Sequence, residues 1–443
     1  MTESRGHSRA DRETANTDPF VNATLCTHCG YCLPVCPTYQ SDNDETHSPR
    51  GRVSIILALR AGALTAEEAS ETLSRCLLCR ACHVACPAGV KPAKLVGHLR
   101  GRTGLAPLPL ARWFHRITNH HARTARAAGW LARYQAWGLQ KLVRRFRLLH
   151  RIGPLRRLEA LLPEHRSDPI PTFPAPLPPA RDPPPTRVAL LCGCMARLFH
   201  PRTGPTTANL LALAGCTVIV PEGFGCCGAP YRESGDRKAF QKQAAATLEA
   251  FARQAADVDF VLCDSAICTV TVKGYARNLG HHPQLGQAAK ELAAKVIDLA
   301  TFLTPRLAQQ GIVFGNPEGQ TVAYHDHCQT RFGLGIIAEP RKLLDALPGE
   351  RHELVPPGSI GACCGAGGEY MLRHPQQAQN VRAAKLETIA ASDVDLVVAS
   401  NAGCILHLEA GLREAGSRTK VRHLSETLWS AYLNRPINPR EMP

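Results

Sequence analysis

Two cysteine strings constrain this chain more than any other feature. The first reads Cys26-Thr-His-Cys29-Gly-Tyr-Cys32-Leu-Pro-Val-Cys36-Pro37. The second reads Cys76-Leu-Leu-Cys79-Arg-Ala-Cys82-His-Val-Ala-Cys86-Pro87. Both follow C-x₂-C-x₂-C-x₃-C-P, the spacing that holds [4Fe–4S] clusters, and the fourth cysteine of such a run ligates the other cluster in two-cluster proteins. The spacing therefore predicts one cluster on Cys26, Cys29, Cys32 and Cys86, and a second on Cys76, Cys79, Cys82 and Cys36. Pro37 and Pro87 lack an N–H and fix φ, which suits a chain leaving a cluster abruptly. Structural zinc sites use separated pairs of ligands. Here four ligands crowd into eleven residues, twice, which argues against zinc at these strings.

The remaining cysteines belong to a repeat. Strand Val188–Leu191 leads to Cys194, strand Thr217–Val220 to Cys226-Cys227-Gly228, and strand Phe260–Leu262 to Cys268. A helix is expected near Arg237–Gln254. The second copy runs from strand Thr321–Tyr324 to Cys328 and from His352–Val355 to Cys363-Cys364-Gly365. A helix near Gln376–Ala391 follows, and Leu396–Ala399 leads to Cys404. Even the tails agree, Val296-Ile-Asp-Leu matching Val421-Arg-His-Leu. Strands alternating with helices predict two α/β lobes with parallel pairing. Each cysteine follows a strand end, and in open α/β sheets the functional crevice lies beyond the carboxyl ends of the strands. Cys194, Cys226, Cys227 and Cys268 should converge in one lobe, and Cys328, Cys363, Cys364 and Cys404 in the other, as further ligands. Adjacent cysteines suit a distorted or noncubane cluster, or a redox-active thiol pair. Cys192, Cys216 and Cys263 read as buried small hydrophobes, a common role for free cysteine. His325, His327 and His423 are candidates for hydrogen bonding to a cluster or moving protons, since histidine titrates near neutrality.

The fold class is multidomain, an α-helical ferredoxin domain followed by two repeated α/β lobes. Residues 1–18 are expected to be a disordered tail and residues 19–106 the two-cluster domain. Helical spacing between the strings, with Thr65 and Glu68 in a capping-box pattern, makes that domain helical. Residues 107–187 are a basic helical segment and a proline-rich linker, with ten prolines between Pro163 and Pro185. Such a stretch is extended and semi-rigid. The first lobe spans 188–310 and the second 311–432.

Charge is unevenly placed. The formal net charge is +15, and between Arg100 and Arg166 fifteen arginines and lysines face two acids. Trp113, Phe114, Trp130, Trp137 and Phe146 are interleaved. Basic amphipathic helices with aromatics lie on anionic membranes or grip acidic partners. The alternative is a solvated arginine-rich face. No base-reading motif accompanies the charge, so nucleic acid is not an expected partner. No signal-peptide region and no apolar run of transmembrane length is visible. Reduced thiols then point to a cytoplasmic protein, peripheral on the cytoplasmic membrane face if it meets a membrane at all.

This order of parts resembles the iron–sulfur subunits of glycolate oxidase (glycolate dehydrogenase), relatives of heterodisulfide reductase subunits with tandem CCG domains. The resemblance rests on the two cysteine runs, Ser48-Pro-Arg-Gly-Arg52, Gly193-Cys194, Cys226-Cys-Gly228, Cys363-Cys-Gly-Ala-Gly-Gly368, Asn401-Ala-Gly-Cys404 and Val421-Arg-His423. The reductase lobes end in C-x-x-C, whereas here Asn401 stands where the second lobe would carry the first of that pair. The resemblance implies an electron-transfer subunit that relays electrons from FAD-containing partner subunits oxidising glycolate to glyoxylate, towards a quinone or another acceptor. No G-x-G-x-x-G after a strand and no P-loop string is present, so FAD is expected on the partner subunits only. Rival readings are a subunit of a D-lactate or glycerol-3-phosphate dehydrogenase, a thiol/disulfide enzyme acting at the lobes, and a metal-stapled scaffold with no activity.

Overall fold

The computed structural model describes residues 19–103, 108–146, 149, 153–163, 185–315, 319–354 and 363–433. The expected tail, most of the proline-rich linker and Val355 lie outside the described residues. Two compact units result: the described residues up to 103 with Glu233–Gly235, and the rest of the chain from 108 onward.

The first unit is helical. Its elements are α1 (Pro19–Ala23), α2 (Pro37–Asp42), α3 (Pro49–Arg60), α4 (Ala66–Ser74), α5 (Ala81–Ala85) and α6 (Pro92–Arg100). Val53, Ile56, Leu73, Leu95, Val96 and Leu99 form its core. Capping sets the helix starts. Thr65 Oγ1 accepts from the Glu68 amide while the Thr65 amide donates to Glu68 Oε2 at 2.7 Å, a reciprocal pair that satisfies two orphan donors. Ser48 caps α3 through the Gly51 amide at 2.9 Å, with Pro49 in the first turn. Gly51 has to be glycine, because a Cβ there would lie 2.0 Å from the Glu45 carbonyl oxygen.

The second unit begins with four basic helices, α7 (Pro109–Thr118), α8 (His121–Ala136), α9 (Leu139–Arg145) and α10 (Gly153–Leu161). They are packed within this unit through Phe114, Ala128 and Leu131 against Leu198, Phe199 and Leu406. Phe114 stacks on Phe199 with ring centroids 6.2 Å apart.

Two parallel sheets follow. The first has order β2-β1-β3, from β1 (Thr186–Leu191), β2 (Cys216–Ile219) and β3 (Phe260–Cys263). The second has order β5-β4-β6-β7, from β4 (Val322–Tyr324), β5 (Arg351–Glu353), β6 (Leu396–Ala399) and β7 (Lys420–His423). The repeat is visible in the register: Val188 pairs with Phe260 as Val322 pairs with Leu396. The tails diverge, since Val421 lies in a full strand whereas Val296 forms only an isolated bridge to Val261. Helices α11 (Cys194–Phe199), α12 (Thr203–Leu213), α13 (Arg237–Gln254), α14 (Ala266–Lys273), α15 (Leu299–Gln309), α16 (Pro375–Ala391), α17 (Ala402–Glu414) and α18 (Leu424–Tyr432) cover the sheets. One continuous core joins the lobes: Val188, Leu190, Leu210 and Phe302 pack with Tyr324, Val398, Leu424 and Leu428. At the strand ends the Ala266 amide donates to the Ser400 carbonyl at 3.0 Å. The two sets of strand-end cysteines therefore belong to one double lobe with a shared core.

Candidate functional site

In the first unit the backbone turns both cysteine strings in the same way. His28 and Gly30 in the first, and Leu78 and Arg80 in the second, all have φ between 51° and 82°. These are matching positions within the motif. Left-handed residues at alternate positions are costly for side chains with a Cβ, and here they wrap the loop so that its thiols point inward.

Two concavities result. One, of about 380 Å³, is lined by Cys26, Cys29, Cys32 and Cys86. The other, of about 350 Å³, is lined by Cys36, Cys76, Cys79 and Cys82. Each string thus contributes three thiols to one concavity and its fourth to the other. Pro92 lines both, so the two are next-door neighbours. Four thiols converging on one concavity are the donor set of a [4Fe–4S] cluster, and the residues present fit that group, with Arg52 and Arg80 beside one set and Arg50 beside the other. Burial pushes the Cys32 thiol up to about 11 and the Cys82 thiol well above its ordinary range. Iron has to displace those protons, so loading couples to deprotonation.

Charged groups are placed against these thiols. Arg52 is 2 % exposed. It donates to Cys36 Sγ at 3.9 Å, to Thr38 Oγ1 at 3.1 Å and to the Arg75 carbonyl at 3.0 Å. Arg50 holds the other string through the His28 carbonyl at 3.1 Å and is itself paired with Glu45 at 2.6 Å. The Leu78 amide reaches Cys76 Sγ at 3.4 Å. The Ser-Pro-Arg-Gly-Arg string is therefore a cap, a helix start, a close approach and two clamps. Sequence reading singled it out without seeing these roles.

In the first lobe Cys194, Cys226, Cys227 and Cys268 are all buried and their thiols form a hydrogen-bonded chain in that order. Bonds to Cys194 and Cys227, with burial, push Cys226 up, while bonds from Cys226 and Cys268 hold Cys227 well below the usual thiol range. The Gly193 amide donates to Asp264 Oδ1 at 2.7 Å, and a Cβ at Gly193 would crowd that same carboxylate oxygen at 3.1 Å. Cys192, Cys216 and Cys263 are buried and sit in the hydrophobic clusters.

In the second lobe Cys364 Sγ lies 3.0 Å from Cys404 Sγ, and the Cys363 thiol bonds to Cys364. Cys328 lies four residues past the end of β4 and caps the π-helical turn Gln329–Leu334. Asn401 takes the place a C-x-x-C pair would fill, and its Nδ2 donates to Cys404 Sγ at 3.2 Å. Its Oδ1 accepts from Ser265 Oγ of the first lobe at 2.8 Å. Of the three histidines, His325 is turned to the cysteines: its ring, Cys364 and Cys404 offer ligand atoms within 4.8 Å of one another. His327 is tied to Thr330 Oγ1 at 2.7 Å. His423 caps α18 by accepting from the Ser425 amide. Lys385 escaped the sequence reading. It is fully buried, with no hydrogen-bond partner for Nζ among the described residues, and its charge faces Asp326, Cys364 and Cys363.

The basic helices expose Trp113, Trp130 and Trp137, each more than half accessible, beside exposed Arg126, Arg133 and Arg145. Arg144 differs: its guanidinium pairs with Glu159 at 2.9 Å and donates to the Leu162 carbonyl at 2.9 Å, which braces α9 against α10. Among the described residues no helix is long and apolar enough to cross a membrane.

Family models match most of this architecture. One described as a 4Fe-4S dicluster domain matches residues 22–90, and one described as a cysteine-rich domain matches 188–273 and 322–409. One described as the linker region of the glycolate oxidase iron-sulfur subunit matches 109–162. The chain is 32% identical over 428 residues to the probable glycolate oxidase iron-sulfur subunit of Bacillus subtilis (strain 168), covering 92% of this chain and 93% of that protein. It is 29% identical to the glycolate oxidase iron-sulfur subunit of Escherichia coli (strain K12), covering 96% and 97%. Lactate utilization protein A of Shouchella clausii (strain KSM-K16) is 30% identical over 54% of this chain and 98% of its own length.

Proposed function

Because this chain belongs to the family of glycolate oxidase iron–sulfur subunits, we propose that it is the electron-transfer subunit of a glycolate dehydrogenase. The observation that carries this reading is the pair of four-thiol concavities, crossed in their ligands and meeting at Pro92. When bound, a [4Fe–4S] cluster in each supplies a one-electron centre, which matches a two-electron flavin to a downstream acceptor. Cys26, Cys29, Cys32 and Cys86 hold one such centre, and Cys36, Cys76, Cys79 and Cys82 the other. Oxidation of glycolate to glyoxylate takes place on FAD-containing partner subunits, and electrons leave towards a membrane quinone or another acceptor.

The chain's own residues tune and insulate the path. Arg52 and the Leu78 amide donate to ligand sulfurs, a bonding that raises a cluster's potential. Buried Val53 and Val90 line one concavity and buried Val96 the other, which lowers the polarity beside the thiols. The thiol chain of the first lobe suits a noncubane iron–sulfur cluster on Cys194, Cys226, Cys227 and Cys268, a further station on the route or part of the face that meets the flavin subunits. The arginines and tryptophans of α7 to α9 form a docking surface for an acidic partner or an anionic cytoplasmic membrane face.

The test is a division of labour. The purified chain, reconstituted anaerobically, should carry about eight irons in two [4Fe–4S] clusters within the first unit. It should contain no flavin and oxidise no glycolate with an artificial acceptor until the FAD subunits are added. Robust glycolate turnover by the chain alone, with stoichiometric flavin, would overturn the proposal.

A further inference from the structure

The two lobes repeat one plan, yet their thiol clusters differ in one donor. Cys268 and Cys404 each lie eight residues past the strand residue that opens the β3 or β6 ladder, Phe260 or Leu396. In the same register Leu191 of the first lobe stands three residues past Val188, and His325 stands three past Val322. The first lobe thus places an apolar side chain where the second places an imidazole. Among the described residues, His325, Cys364 and Cys404 are the group whose three ligand atoms lie within 4.8 Å of one another.

We propose that the second lobe holds a single zinc ion on His325, Cys364 and Cys404, a site separate from the cubane concavities and different in kind from the first lobe's all-thiol cluster. Three observations carry it. Zinc–sulfur bonds of ~2.3 Å and zinc–nitrogen bonds of ~2.0 Å keep the ligands of a tetrahedral ion within about 4 Å of each other, and these donors are already gathered nearly that closely. His325 is fully buried and neither ring nitrogen has a hydrogen-bond partner among the described residues. A buried imidazole left without partners costs free energy that a metal bond removes. One imidazole with two thiolates is a donor set that suits zinc, whereas iron–sulfur clusters favour thiolates throughout.

The surroundings orient the ligands. Asn401 Nδ2 donates to Cys404 Sγ at 3.2 Å and is itself held by Ser265 Oγ at 2.8 Å. Such outer partners fix ligand orientation in metal sites. The residue that breaks the C-x-x-C pattern thus becomes a support for the metal, supplied jointly by both lobes. Three protein ligands leave a fourth position for the Cys363 thiolate or water.

The experiment is metal analysis and zinc-edge X-ray absorption on the full chain, purified anaerobically from medium holding both iron and zinc. The wild type should carry about one zinc per chain, in a shell with one imidazole nitrogen and two or three sulfurs. His325→Ala and Cys404→Ser should each cut zinc at least fivefold with iron unchanged, and His325→Cys should restore it. The wild-type absorption measurement stands whether or not the variants fold. A zinc-free wild type, an all-sulfur shell, or loss of iron rather than zinc in the variants would overturn the site. None of these results bears on the cubanes, because that reading is tested by iron held on the eight cysteines of the first unit.

Discussion

Replacing Arg52 by Gln should lower the potential of one cluster and leave the other nearly unmoved. Arg52 is buried and its Nη1 lies 3.9 Å from Cys36 Sγ. At about 4 Å and an effective dielectric of ~20, two unit charges interact by about 4 kcal/mol. An added electron spreads over the whole cluster, so roughly a quarter to a half of that is felt, ~1–2 kcal/mol or ~40–90 mV for a one-electron couple. The sign follows from charge. Reduction makes the centre more negative, the guanidinium favours that state, and its removal moves the potential down. Arg50→Gln is the control, since Arg50 is already paired with Glu45 at 2.6 Å and should shift its neighbouring centre less. Potentiometric titration of the reconstituted chain, followed by electron paramagnetic resonance, reads both couples. Equal potentials for wild type and Arg52→Gln, with full iron content, would refute the placing of a charged clamp at the Cys36 centre.

Further outcomes follow from the same geometry. Cys29→Ser combined with Cys79→Ser removes one ligand from each concavity and should abolish most of the reducible cluster signal; an unchanged spectrum would sink the ligand assignment. Gly51→Ala forces a Cβ to 2.0 Å from the Glu45 carbonyl and should destabilise the first unit by about 2–3 kcal/mol, seen as a lower melting temperature and poorer iron retention. Arg126, Arg133 and Arg145 are exposed near Trp130 and Trp137. Reversing all three to Glu should weaken sedimentation with the flavin subunits or with anionic vesicles. Added salt should do the same to the wild type, because exposed charges are screened over ~10 Å at 0.1 M. Equal binding by both proteins at all salt concentrations would reduce these helices to a structural bridge.

Much of this architecture is written as local spacing. Strand ends, the helices Arg237–Gln254 and Pro375–Ala391, and the Thr65–Glu68 cap need only a few neighbouring residues to specify them, and they lie within a residue or two of where periodicity puts them. The Val296 tail is weaker than its repeat partner, keeping one bridge where Val421 keeps a strand. Contacts made across long stretches of chain left no local signature. Arg144 reads as one more docking charge until Glu159, on another helix, is seen to hold it. Arg52 reads as a helix residue, yet its partners come from both cysteine strings' neighbourhoods at Cys36, Thr38 and Arg75. Lys385 sits on a helix whose polar pattern gives no hint that this one lysine is fully buried beside Cys363 and Cys364. A lysine at a buried helical position within reach of a CCG triplet is the signal that could have found it.

On the proposed function, electrons from glycolate pass through the cysteine-held centres of the first unit. This route is tested by mixing the oxidised, reconstituted chain with its FAD subunits anaerobically, adding glycolate without any other acceptor, and following cluster absorbance and resonance signals. The centres on Cys26, Cys29, Cys32, Cys86 and on Cys36, Cys76, Cys79, Cys82 should be reduced at the rate glyoxylate forms, with the Cys29→Ser, Cys79→Ser protein silent. Glyoxylate formation coupled to an added dye, with both centres left oxidised throughout, would contradict it.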